Sequence, residues 1–151
     1  MKSTRLFAAL TAVVSAFAFA GAATYPADWR SWQHVKSMVI PDKAHGLYGF
    51  HHVYVQPKAL AALKAGKGYP EGATMAVPFY EVVESGGATS QGALIKLAVM
   101  KRDKSAKDTG GWQYSAFDPA GKPIELDAKA ACHTCHEAKK DREFVFSEWT
   151  P

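Results

Sequence analysis

The chain has 151 residues, of which 48% are hydrophobic and 21% are charged, and its formal net charge is +4. This length suits a single domain with its own hydrophobic core. The excess of basic residues is too small for a nucleic-acid-binding surface, so no nucleic acid is expected among its partners.

The N-terminus has the pattern of a secretory signal peptide. Lys2 and Arg5 precede an apolar run over residues 6–20, which ends in small residues suited to cleavage after about Ala20 to Ala23. The run is too short for a confident membrane span, although an uncleaved N-terminal anchor is the alternative. We therefore expect residues 1–23 to be removed, and residues 24–151 to form one periplasmic domain without a membrane span.

The first half of the mature chain predicts two helices and one strand. A helix is expected over residues 28–35 and a strand rich in β-branched and aromatic residues over 47–55. Pro57 then opens a helix over residues 59–65, which Gly66 ends.

The second half predicts more strands and a late helix. Extended segments are expected at residues 74–84, 93–100, 112–117 and 143–149, with a helix over 127–140. Pro78 suggests that the strand over residues 74–84 is an edge strand or carries a bulge. The whole pattern predicts an α+β fold, with an antiparallel sheet of four to five strands, peripheral helices and a C-terminal helix.

The C-terminal helix carries the attachment signature of a c-type haem, Cys132-His133-Thr134-Cys135-His136. Residues i and i+3 share a helix face, so both thiols can reach the two vinyl groups of one porphyrin. His136 then offers an imidazole nitrogen as the proximal iron ligand. We therefore predict one covalently attached haem c, and the alternative for the two cysteines is a disulfide, structural or redox-active.

Residues 25–35, 52–57 and 69–72, then the haem signature, then residues 144–146 follow one another in a characteristic order and spacing. In this order and spacing the chain resembles the cytochrome P-460 family, and most closely its cytochrome c′-beta branch. It implies an exported homodimer with a mainly antiparallel sheet. It also implies a five-coordinate haem held by Cys132, Cys135 and His136.

The resemblance also concerns the side of the haem opposite the histidine. Family members called P-460 cross-link a lysine to the porphyrin and oxidise hydroxylamine. That lysine's position falls at Phe79, and no lysine occurs between Lys67 and Lys96. In the c′-beta branch two phenylalanines cap this distal face, and the resemblance assigns these roles to Phe50 and Phe79.

A distal site built from Phe50 and Phe79 would be apolar and crowded. It would offer no strong hydrogen-bond donor to dioxygen, whereas carbon monoxide and nitric oxide need less of that help. The hypothesis is therefore a gas-binding cytochrome that scavenges or senses nitric oxide. The alternative for both rings is ordinary core packing.

Two other functions stay open at this point. An enzyme that oxidises hydroxylamine would use Glu81 as a candidate distal base, since Glu81 is the only carboxylate on the predicted strand face of Phe79. A simple electron carrier with a redox partner protein would need a sixth iron ligand. The candidates for that ligand are His51, His52, Met38, Met75 and Met100.

Overall fold

The computed structural model describes residues 24–150, so the predicted signal peptide lies outside the described residues. Within this described range, six strands form one antiparallel sheet in which each strand pairs with the next along the chain. They are β1 (Gln33–Ile40), β2 (Gly49–Val55), β3 (Thr74–Ser85), β4 (Ala88–Arg102), β5 (Trp112–Phe117) and β6 (Pro123–Ile124). The predicted α+β class with an antiparallel sheet is confirmed, with six strands instead of four to five.

The helices are short and lie around the sheet. Helix α1 (Pro57–Ala65) begins at a proline and ends at Gly66, which adopts the left-handed conformation with φ 70°. The C-terminal helical segment consists of a π-helical turn, the short helix α2 and a 3-10 turn, with bounds Lys129–His133, Thr134–His136 and Glu137–Arg142. Between residues 24 and 150, no helix combines the length and the apolar character that a membrane crossing requires.

The prediction of a helix over residues 28–35 is wrong. Only a single 3-10 turn, Trp29–Ser31, forms there, and β1 follows it. Gln33 pairs with Val55 of β2, and the pairing continues to Ile40 opposite Gly49. Hydrogen bonds to a distant strand therefore override the local helical pattern.

The two faces of the sheet differ in what covers them. We call one the helical face, since α1 and the C-terminal helical segment lie on it; its buried side chains include Val53, Val55, Met75, Met100 and Tyr114. The other is the tryptophan face, where Trp29 and Trp32 pack on Ala76, Leu97, Val99 and Phe117. A residue's place on the sheet therefore decides which of two separate cores it joins.

Pro78 lies in an interior strand of the sheet, between β2 and β4. The pairing of β3 with β4 shifts directly after it, between Phe79 and Tyr80 and again between Tyr80 and Val82. Of the two alternatives for this proline, an edge strand or a bulge, the structure has the irregular pairing.

Candidate cofactor site

The cysteine pair of the C-terminal motif lies on the helical face. Cys132 is half-buried and packs against the core of that face, while Cys135 is exposed, and both thiols are free. Burial raises the pKa of the Cys132 thiol, and the positive charge of Lys96 opposes that rise. Lys96 therefore lies close enough to the motif for its charge to act on the first cysteine.

His136 is oriented by a single backbone carbonyl. Its Nδ1 lies 2.6 Å from the carbonyl oxygen of Phe144, to which the Nδ1–H donates a hydrogen bond. Burial lowers the pKa of His136, and the hydrogen bond to Phe144 partly opposes that shift. A neutral imidazole with Nδ1–H engaged in this way keeps its lone pair on Nε2, which is the arrangement that a metal ligand needs.

The carbonyl that His136 uses is held in place by an unusual turn. Glu143 and Phe144 both have positive φ angles, 51° and 68°, which residues with side chains rarely adopt. Trp112 donates its indole N–H to the carbonyl oxygen of Glu143 at 2.8 Å, so one carbonyl faces the indole and the next faces His136. This turn is the support that fixes the orientation of the imidazole.

Gly110 leaves the space that this turn requires. Its φ is 66°, and a Cβ atom added to it would overlap the ring of Phe144. We expect Gly110→Ala to destabilise the fold by about 1–3 kcal/mol more than Gly86→Ala. Gly86 is the matched control because its φ is 59° and nothing lies within 4 Å of an added Cβ. Urea unfolding of both variants measures the difference, and equal losses would contradict the steric role of Gly110.

Aromatic rings surround His136. The ring of Tyr114 lies 5.1 Å from it and that of Phe146 lies 5.0 Å from it, the latter nearly perpendicular at 81°. His133, inside the motif, is buried and packs 5.1 Å from Phe144. The sequence gives no signal for the contact of Tyr114 with His136, because only the sheet and the helix together bring the two rings side by side.

The structure does not bring Phe50 and Phe79 together. Phe50 pairs with Tyr80, whereas His51 pairs with Phe79. Directly opposed residues on antiparallel strands point to the same face, so Phe50 and Phe79 lie on opposite faces of the sheet. Phe50 contacts His52, at a centroid distance of 5.0 Å, on the tryptophan face. The prediction that the two phenylalanine rings meet is therefore wrong.

Phe79 has a cationic neighbour and a buried histidine instead. Its ring lies 3.9 Å from the ring of His51, and the Lys96 Nζ lies 4.7 Å from its centroid. Lys96 belongs to β4 and pairs directly with Phe79. The surroundings of Phe79 are consequently less apolar than the sequence analysis predicted.

His51 makes the stability of the protein depend on pH. It is 3% exposed, and burial lowers its pKa from the ordinary value of 6.5. The unfolded chain therefore binds the His51 proton more readily, so stability falls as the pH drops from about 6.5 toward the folded-state pKa. The free energy of unfolding, measured by urea titration, should fall between about pH 7 and pH 5 in the wild type. We expect this fall to be smaller in His51→Gln. A slope as steep as that of the wild type would contradict this role of His51.

The remaining candidates occupy varied places. Glu81 is exposed and accepts a hydrogen bond from the Tyr48 hydroxyl at 3.0 Å. Met75 and Met100 are buried in the core of the helical face, whereas Met38 is 40% exposed. His52 lies between Ser37 and Gln91, both of which it contacts by hydrogen bonds. The contacts of Glu81 and His52 do not join them to the cysteine motif, whereas Met75 and Met100 belong to the core against which Cys132 packs.

A row of small apolar side chains separates the two ends of the site. Val77 pairs with Ala98, which in turn pairs with Ala116. At ~3.4 Å per residue, Phe79 with Lys96 lies about 13 Å along the strands from the Met100 and Tyr114 pair. His136 adjoins the Tyr114 end, and the stretch between the two ends carries only these small side chains.

These residues suit a haem. Two free thiols and an oriented imidazole supply the groups that a c-type haem attachment needs. The row of small side chains, Tyr114 and Phe146 supply apolar surface.

The model of a protein family described as Cytochrome P460 matches residues 26–147 of the chain. A search of curated proteins found no significant match to this chain.

Proposed function

Since the chain belongs to the cytochrome P460 family of haem-binding cytochromes, we propose that it is a mono-haem c-type cytochrome that binds nitric oxide or carbon monoxide. Cys132 and Cys135 would hold the haem covalently, and His136 would be its single protein ligand. The iron of the bound haem, when held on one side by His136, supplies a coordination position for a diatomic gas.

The observation that carries this proposal is the oriented imidazole of His136. The hydrogen bond to Phe144 keeps its Nε2 free, and burial keeps the ring neutral. Phe79 lies at the other end of the same sheet face. Its benzyl ring offers a gas ligand no lone pair and no donor, and it limits the space there.

Phe79 and Phe50 form a matched pair for testing this assignment. Phe79 is 7% exposed on the helical face, whereas Phe50 lies on the tryptophan face. We expect Phe79→Ala to speed carbon monoxide association with the reduced protein by about tenfold or more, a change of ~1.4 kcal/mol in the barrier. Phe50→Ala should leave that rate within twofold. Flash photolysis measures both rates, and equal effects would contradict the placement of Phe79.

Oxidation of hydroxylamine is a second candidate function, and Lys96 favours it. The resemblance places a cross-linking lysine at Phe79, where this chain has none, yet the Lys96 ammonium lies over the Phe79 ring from the neighbouring strand. Steady hydroxylamine turnover with an artificial electron acceptor would support this function. Proteolytic digestion would also release the Lys96 peptide joined to the haem peptide. If neither turnover nor the cross-linked peptide is observed, hydroxylamine oxidation is contradicted and gas binding remains the proposed function.

Export and assembly are part of the same proposal. The charged and apolar pattern of residues 1–23 supports export to the periplasm with removal of that segment. The family resemblance supports a homodimer, and a role that cycles the iron between oxidation states would need a redox partner protein.

A further inference from the structure

Lys96 places a positive charge on a partly buried part of the sheet. It is half-buried on the helical face, and its Nζ lies over the ring of Phe79, 4.7 Å from the centroid. Among residues 24–150, no carboxylate forms an ion pair with it. A partly desolvated ammonium without a counter-ion attracts anions more strongly than a solvated surface lysine does.

The field of Lys96 reaches both sides of the site. It opposes the effect of burial on the pKa of Cys132, which belongs to the haem signature. It adds to the lowering of the pKa of His51, whose ring contacts that of Phe79 at a tilt of 45°. The ammonium therefore acts electrostatically on the first cysteine of the motif and on the buried histidine of β2.

We infer that Lys96 determines ligand specificity by admitting small monovalent anions to the side of the haem that Phe79 adjoins. This inference rests on the proposed function, since it needs the haem to be bound on the helical face. Phe79 restricts the size of the ligand and Lys96 sets the preferred charge. The apolar site expected from the sequence would instead reject anions.

Charge removal is the direct test. In Lys96→Met the side chain keeps a similar length and loses its charge, while Lys96→Arg retains the charge. Lys101→Met is the matched control, because Lys101 lies on the same strand but on the opposite face, where it pairs with Thr74 and Gln113. Azide is the anionic probe and imidazole the neutral one, both titrated optically into the oxidised holoprotein.

We expect azide to bind Lys96→Met about 10- to 100-fold more weakly than wild type, as for charges about 6 Å apart at an effective dielectric constant of about 20 to 40. Lys96→Arg and Lys101→Met should stay within about threefold of wild type, an energy change too small to signal a lost charge. Imidazole affinity should not change in any variant. The reduction potential of Lys96→Met should also fall, because a nearby positive charge favours the reduced iron.

Several results would overturn the inference. Azide affinity in Lys96→Met within twofold of wild type would do so, as would an equal loss for imidazole, which indicates a steric effect. A wild-type protein that does not bind azide would also overturn the inference, and so would a Lys96 side chain covalently joined to the porphyrin.

If Lys96→Met does not fold, a salt titration of the wild type replaces it. Azide affinity must then weaken as the salt concentration rises, and an unchanged affinity overturns the inference. A preparation without haem would defeat the proposed function itself.

Discussion

Replacing both cysteines of the motif, in Cys132→Ser with Cys135→Ser, is expected to abolish covalent haem attachment completely. The thiols are free and lie three residues apart on one helical segment, and the remainder of the chain contains no other cysteine. A denaturing gel stained for haem peroxidase activity, together with the intact mass, measures the attachment. The wild type should carry the porphyrin mass and the double variant should not.

The fold should survive the loss of both thiols. Cys135 is exposed and Cys132 is only half-buried, so the double substitution removes little buried apolar surface. Circular dichroism of the variant should therefore show the same sheet content as the apoprotein of the wild type. Covalent haem in the double variant would contradict the assignment, and so would a matured wild type without it.

Among the substitutions proposed for this protein, Trp112→Ala is expected to lower the free energy of unfolding most, by about 3–5 kcal/mol. Trp112 has no exposed surface, and its ring packs 5.3 Å from that of Tyr69. Its indole N–H also satisfies the carbonyl oxygen of Glu143 in the turn that orients His136. The substitution therefore leaves a cavity and an unpaired carbonyl, and it loosens the support of the imidazole.

Trp112→Phe separates these contributions. Phenylalanine keeps much of the aromatic volume but donates no hydrogen bond, so the cost should fall to about 1–3 kcal/mol. Urea unfolding of both variants measures the losses. If the two variants lost equal stability, the hydrogen bond alone would account for the effect, and the packing role of Trp112 would be contradicted.

The parts that local sequence determines were predictable. The haem signature depends only on neighbouring residues. The same is true of the helix that begins at Pro57 and ends before Gly66, and of the strand Trp112–Phe117. Each depends on local spacing, capping or alternation, which the sequence displays directly. The family resemblance, confirmed by the match over residues 26–147, also rests on such local segments in a fixed order.

The parts that depend on strand register were not predictable. Phe50 and Phe79 each sit on a correctly predicted strand, but a shift of one residue in pairing decides whether two side chains share a face. Lys96 lies beside Phe79 for the same reason, through a pairing that no local pattern displays. Phe144 also adopts a positive φ angle, which turns its carbonyl toward His136. A phenylalanine in the sequence gives no sign of that backbone conformation.

The optical spectrum of the reduced holoprotein, with and without carbon monoxide, tests most directly whether His136 is the sole protein ligand and the opposite position is open. We predict a high-spin, five-coordinate spectrum that changes when carbon monoxide is added. A low-spin spectrum with two protein ligands, unchanged by carbon monoxide, would contradict it.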